Sequence, residues 1–142
     1  MTLIEPADRI NALARVVVDA AFQVHTTLGP GFLESVYRDA LAVELDLRRV
    51  PFGREVPIAV SYKGHAVGRG FLDFLIDEQL VVELKAVETL APIHTAQVLS
   101  YLKATRLPLG LLITFNVREI RRGIRRVVLT HQSLDNASER TP

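Results

Sequence analysis

The sequence predicts an α/β domain in which two helices precede a three-strand meander, a third helix and two closing strands. Ile10, Leu13, Val17, Ala21, Val24 and Leu28 recur at intervals of three and four, the period of an amphipathic helix. Turn-forming residues at Lys63-Gly64-His65 and at Asp77-Glu78-Gln79 divide the middle of the chain into short β-rich runs. A helical segment then separates the third run from the fourth, and such a crossover permits parallel pairing, so the sheet is expected to be mixed.

Taken in order, the first helix ends at Gly29-Pro30-Gly31, because a glycine followed by proline is a common stop. The second helix should run from about Phe32 to Leu47, with Leu33, Val36, Tyr37, Ala40 and Leu41 inward. Strands are expected at 55–62 and 67–76, then at 80–87 after a three-residue loop. Pro92 suits the first position of a helix reaching about Ala104. Leu109 to Phe115 and Ile124 to Leu129 complete the sheet. One domain is expected over residues 1–134, followed by a polar tail at 135–142.

Composition permits several functions and removes others. At 142 residues with 49% apolar content, the chain can bury a sizeable core. It has no cysteine, which excludes disulfides, thiolate catalysis and cysteine zinc sites and agrees with a cytoplasmic location. The N-terminus lacks a basic start and a long apolar run, so neither a signal peptide nor a membrane span is expected. His25, His65, His94 and His131 have no metal-ligand spacing, and His25 is placed to answer a helix dipole. No nucleophile elbow or glycine-rich phosphate loop is present.

The strongest signal is a violation of the apolar pattern. Asp73 in one strand, and Glu83 and Lys85 in the next, place ionisable groups where a core normally accepts none. If residues 77–79 form the loop, Ile76 faces Leu80 and Asp73 lies directly opposite Glu83. Opposed Cα atoms are roughly 4.5 to 5.5 Å apart, and side chains two apart share a face. Two carboxylates and an amine thus converge, while Leu84 points away. Such a group can hold Mg²⁺ or Mn²⁺ and assist phosphodiester hydrolysis, Lys85 orienting water or stabilising developing charge. The alternative is a cross-strand ion pair between Lys85 and one carboxylate, with the other carboxylate at a sheet edge.

Asp73 with Glu83-Leu84-Lys85 resembles the D…(D/E)-x-K signature of the PD-(D/E)XK nuclease superfamily. Gly31-Phe32-Leu33-Glu34-Ser35-Val36-Tyr37 is similar to the motif of the GxxExxY branch, and the likeness extends through His94-Thr95-Ala96-Gln97, Tyr101 to Thr105 and Gly110 to Ile113. The resemblance implies a restriction-endonuclease-like αβββαβ core with an extra N-terminal helix. It implies a metal held by Asp73, Glu83, the Leu84 carbonyl and Glu34, with Lys85 and Gln97 arranging water and phosphate. Tyr101 would touch substrate.

Two of these residues have alternative readings. With Gly31 as N-cap, Glu34 would occupy the third helical position, where a carboxylate caps the helix instead of binding metal. Tyr37 fits either a core aromatic with a bonded hydroxyl or a phosphate contact.

The net charge of +1 is low for a nucleic-acid enzyme. Positive charge is local, with Arg118, Arg121, Arg122, Arg125 and Arg126 close together near the C-terminus. Arg121, Arg122 and Arg125 can form a backbone-contacting stripe, or guard an edge strand against aggregation. Three readings follow: a metal-dependent nuclease of DNA or, second, RNA; a nucleic-acid binder that keeps the site without cutting; and an interaction protein in which the acidic cluster is structural. The low charge leaves room for a homodimer or protein partner in recognition.

Overall fold

The computed structural model describes residues 7–129. The expected tail at 135–142, the domain limit at 134 and His131 lie outside the described residues.

The elements follow the expected order. Helices α1 (Asp8–Leu28) and α2 (Glu34–Leu47) precede strands β1 (Phe52–Tyr62), β2 (His65–Ile76) and β3 (Leu80–Lys85). Helix α3 (Pro92–Thr105) leads to β4 (Leu109–Thr114), and a short 3₁₀ turn, Ile120–Gly123, leads to β5 (Ile124–Val128). The sheet order is β1-β2-β3-β4-β5. Among the described residues only β3 and β4, joined by α3, run parallel, from Leu80↔Leu109 to Lys85↔Thr114. The other neighbours are antiparallel, so the sheet is mixed.

Two cores enclose the sheet. Helices α1 and α2 press Val17, Ala21, Tyr37, Leu41 and Leu45 onto Phe74, Leu84 and Ile113. On the other face α3 sets Val98 and Leu102 against Leu72, Val81 and Leu112. Gly110 allows the close approach of α3, since a Cβ there would stand 2.7 Å from Val98 Cγ1. Among the described residues, no helix is long and apolar enough to cross a membrane.

The entry to α2 differs from expectation. The helix begins at Glu34 with Leu33 as N-cap, so Gly31 is not the cap and Glu34 is the first helical residue instead of the third. The cause is Tyr37. Its hydroxyl donates to Gly29 O at 2.5 Å and accepts from Phe32 N at 3.1 Å, while Gly31 has φ 112°. These bonds hold residues 29–32 as a loop that a helix starting at Phe32 would break. Leu33 and Val36, expected inward, are exposed as a result.

Candidate active site

The hairpin has the expected register, and the carboxylates sit where its regular ladder ends. Strands β2 and β3 pair from Ile76↔Leu80 to Phe74↔Val82. At the next step the side chains replace the backbone partners: Asp73 N donates to Glu83 Oε1 at 2.9 Å, and Leu84 N donates to Asp73 Oδ2 at 2.8 Å. Each carboxylate is therefore fixed by the other's strand with one oxygen, leaving the second oxygen for other use.

A local reversal opens this place. Residues two apart on a strand normally share a face. Phe74 nevertheless belongs to the core under α1 and α2, and Leu72 to the core under α3. Neighbouring pairs Arg54↔Phe74 and Val56↔Leu72 put Glu55 opposite Asp73, and Glu55 has φ 49°. Both strands thus turn over at Asp73, which brings its carboxylate within reach of both α2 and β3.

The electrostatics are those of a crowded acidic pair. Glu83 is only 3% exposed. Its pKa is pushed from an ordinary 4.5 up to about 8, first by burial and then by the charge of Asp73, against smaller lowering effects that include Lys85. Burial likewise raises the Tyr101 hydroxyl, helped by Glu83 and Asp73 and opposed by a hydrogen bond from Gln97. Gln97 Nε2 donates to Tyr101 Oη at 3.1 Å, so the two side chains of α3 act as a pair whose hydroxyl feels the charge of both carboxylates.

Lys85 settles one alternative. Among the described residues it makes no hydrogen bond and no ion pair within 4.0 Å, although its charge reaches Glu83. It is half-buried at the end of β3, beside Thr114. Thr114 accepts a bond from Val87 N at 3.1 Å and donates to Val87 O, fastening the chain just after Lys85. The cross-strand ion pair is not formed, and the ammonium is left for another partner.

Glu34 and Tyr37 take different places. Tyr37 is fully buried, stacked on Phe115 at 4.7 Å, with its hydroxyl occupied by loop backbone. It therefore cannot contact substrate here; it positions the loop from which Glu34 projects. Glu34 reaches the site only through Arg38, whose Nη2 donates to Glu34 Oε1 at 2.5 Å and whose Nε stands 3.6 Å from Asp73 Oδ1. Among the described residues no three Asp, Glu, His or Cys side chains form a metal-holding group. Mg²⁺ binds through one or two carboxylates plus waters and phosphate, so Asp73 and Glu83 form a sufficient donor pair. Leu84 contributes its amide to Asp73 and its side chain to the core.

The basic residues do not form one stripe. Arg125 and Arg126 are adjacent on β5 and face opposite sides: Arg125 bonds Thr95 Oγ1 at 2.7 Å, and Arg126 bonds Asn11 Oδ1 at 2.8 Å. Arg118, Arg122 and Arg125 line an open groove of about 840 Å³ with Glu88, Glu119 and Thr114, beyond the carboxyl ends of β3 and β4. Arg121 pairs with Glu119 outside this lining. Reversing Arg118, Arg122 and Arg125 to Glu is expected to weaken binding to nucleic acid of any sequence and to flatten its salt dependence. Arg121→Glu should do so less. Anisotropy at several salt concentrations measures both, and an unchanged slope in the triple variant removes the groove from the binding surface.

His25, expected to serve the helix end, has its Nε2 2.7 Å from Val117 O and so ties α1 to the loop after β4. His94 caps α3, accepting from Ala91 N at 3.0 Å.

No curated protein matches the chain. A family model described as the PD-(D/E)XK nuclease superfamily matches residues 11–127, a span that includes both carboxylates, Lys85 and the whole sheet up to β5. The mixed five-strand sheet, the order of its helices and this match together establish that the chain belongs to the PD-(D/E)XK nuclease superfamily.

Proposed function

We propose that this protein is a Mg²⁺- or Mn²⁺-dependent phosphodiesterase acting on DNA, and that it falls in the GxxExxY branch through Gly31, Glu34 and Tyr37. The reading rests on one observation above all: Asp73 and Glu83 are interlocked on the same patch as Lys85, which has no ion pair among the described residues. Two adjacent carboxylates repel unless a proton or a cation lies between them. The site's donors are hard oxygens, which suit the divalent ions that superfamily members generally use.

Asp73 and Glu83 would hold the ion, with the Leu84 carbonyl as a further oxygen donor. When bound, it would supply a more acidic water and neutralise charge at phosphorus. The chain's own groups do the rest. Lys85, with no ion pair among the described residues, donates to a phosphate oxygen as negative charge builds. Gln97 has an amide oxygen and a second N–H not used by Tyr101, and these orient water or phosphate. Arg118, Arg122 and Arg125 contribute backbone affinity, and a protein partner or second copy would add what the low net charge lacks.

The test is Mn²⁺ calorimetry on wild type and Asp73→Asn beside cleavage assays on single- and double-stranded DNA and RNA. Wild type should bind one ion weakly and Asp73→Asn at least tenfold more weakly. Equal affinity in the two would sink the metal site. Binding of ion and DNA with no cleavage of any substrate would favour the reading in which the fold is kept for binding alone.

A further inference from the structure

Arg38 is the residue that neither the superfamily signature nor the charge pattern singles out. It follows Glu34 by one turn of α2, and its guanidinium stands between Glu34 and Asp73. The two contacts are unequal. The bond to Glu34 is short, whereas 3.6 Å from Nε to Asp73 Oδ1 is too long for a hydrogen bond, and Nε is buried with no hydrogen-bond partner among the described residues. Asp73 Oδ1 is the oxygen that the Leu84 amide leaves over. A guanidinium cannot give up its charge, so a fixed positive charge lies against the oxygen a metal would need.

We infer that Arg38 stands in for the cation in the metal-free site and must yield Asp73 to a divalent ion, so that it sets both the affinity of the site and its preference for divalent over monovalent cations. A monovalent ion brings no more charge than the guanidinium it would replace and gains little by displacing it. A divalent ion attracts both carboxylates about twice as strongly at equal distance. The unbonded Nε marks the contact that gives way, while the bond to Glu34 keeps the side chain anchored. This inference rests on the proposed metal site and extends it to a residue that is not a ligand.

The experiment measures Mn²⁺ affinity by calorimetry and water-proton relaxation in wild type, Asp73→Asn, Arg38→Gln and Arg38→Lys, with melting curves in EDTA and in Mn²⁺. Arg38→Gln should bind about tenfold tighter, the order expected when a cation so close to a carboxylate is removed. Its metal-free form should melt lower than wild type and gain more from Mn²⁺. K⁺ should compete with Mn²⁺ in Arg38→Gln and not in wild type, and Arg38→Lys should stay near wild type. If Arg38→Gln folds only with Mn²⁺, the ion has replaced the guanidinium, which supports the role; if it stays unfolded with Mn²⁺, the role is overturned. Wild-type affinity in Arg38→Gln, with Asp73→Asn still weakened, overturns the role of Arg38 and leaves the metal site standing. Lys and Gln variants of equal affinity overturn it too, because charge is then not what the site senses. No Mn²⁺ binding by any form overturns both.

Discussion

Lys85→Ala is expected to abolish phosphodiester cleavage, by a factor on the order of 10² to 10³, while changing the stability of the fold by less than about 1 kcal/mol. The two effects separate because Lys85 has no ion pair or hydrogen bond among the described residues. Removing it strands no buried carboxylate, which is the usual reason that deleting half of a buried pair is costly. It does remove the positive charge that lowers the Glu83 pKa, so Glu83 should hold its proton still more firmly. Metal affinity therefore falls modestly near neutral pH and recovers as pH is raised. A melting curve, an Mn²⁺ titration at two pH values and a cleavage assay form the comparison. A variant that melts far below wild type yet still cuts would mean that Lys85 is structural.

The elements that hold Asp73, Glu83 and Lys85 together were legible because they depend on local rules. Period-two alternation and a three-residue loop are sufficient to put Ile76 against Leu80 and to count outward to the acidic pair. The loop works although it has no glycine, with Asp77 and Glu78 at φ 49° and 58°. What failed was tertiary. Glu34 was displaced by two positions in its helix because a buried tyrosine hydroxyl, which no local capping rule anticipates, holds the backbone of Gly29 and Phe32. The turnover of β1 and β2 at Glu55 and Asp73 has no composition signal, since glutamate is an unusual residue at positive φ.

Arg38 illustrates the boundary between the two. Its spacing of four from Glu34 announces the helical ion pair, but nothing local announces its approach to Asp73 across the gap between α2 and β2. The arginines near the C-terminus are the opposite case. Alternation on β5 already requires Arg125 and Arg126 to face opposite sides, so the strand pattern itself lets Arg125 share a groove with Arg118 and Arg122 while Arg126 faces away.

In EDTA, the stability of the wild-type protein is expected to fall as pH rises from about 5 through 8, and Glu83→Gln is expected to remove most of that fall. The sign follows from linkage. Glu83 is pushed up to about 8 in the fold, chiefly by burial, against an ordinary 4.5. Between these values the folded protein carries a proton that the unfolded chain has lost, so the stabilising contribution is complete below the lower value and disappears as pH passes the upper. The slope from one such group is at most about 1.4 kcal/mol per pH unit. Glutamine imitates the protonated acid: its oxygen can still accept from Asp73 N, and its amide can donate to the Asp73 carboxylate, so the variant should lie above wild type at pH 8. A divalent ion favours the ionised carboxyl and should flatten the wild-type curve, with release of about one proton on binding near pH 7. Chemical denaturation across the pH range, with and without Mg²⁺, measures the first effect, and calorimetry in buffers of different ionisation enthalpy counts the proton. Parallel curves for wild type and Glu83→Gln would show that the pH dependence does not arise at Glu83 and would overturn its raised pKa.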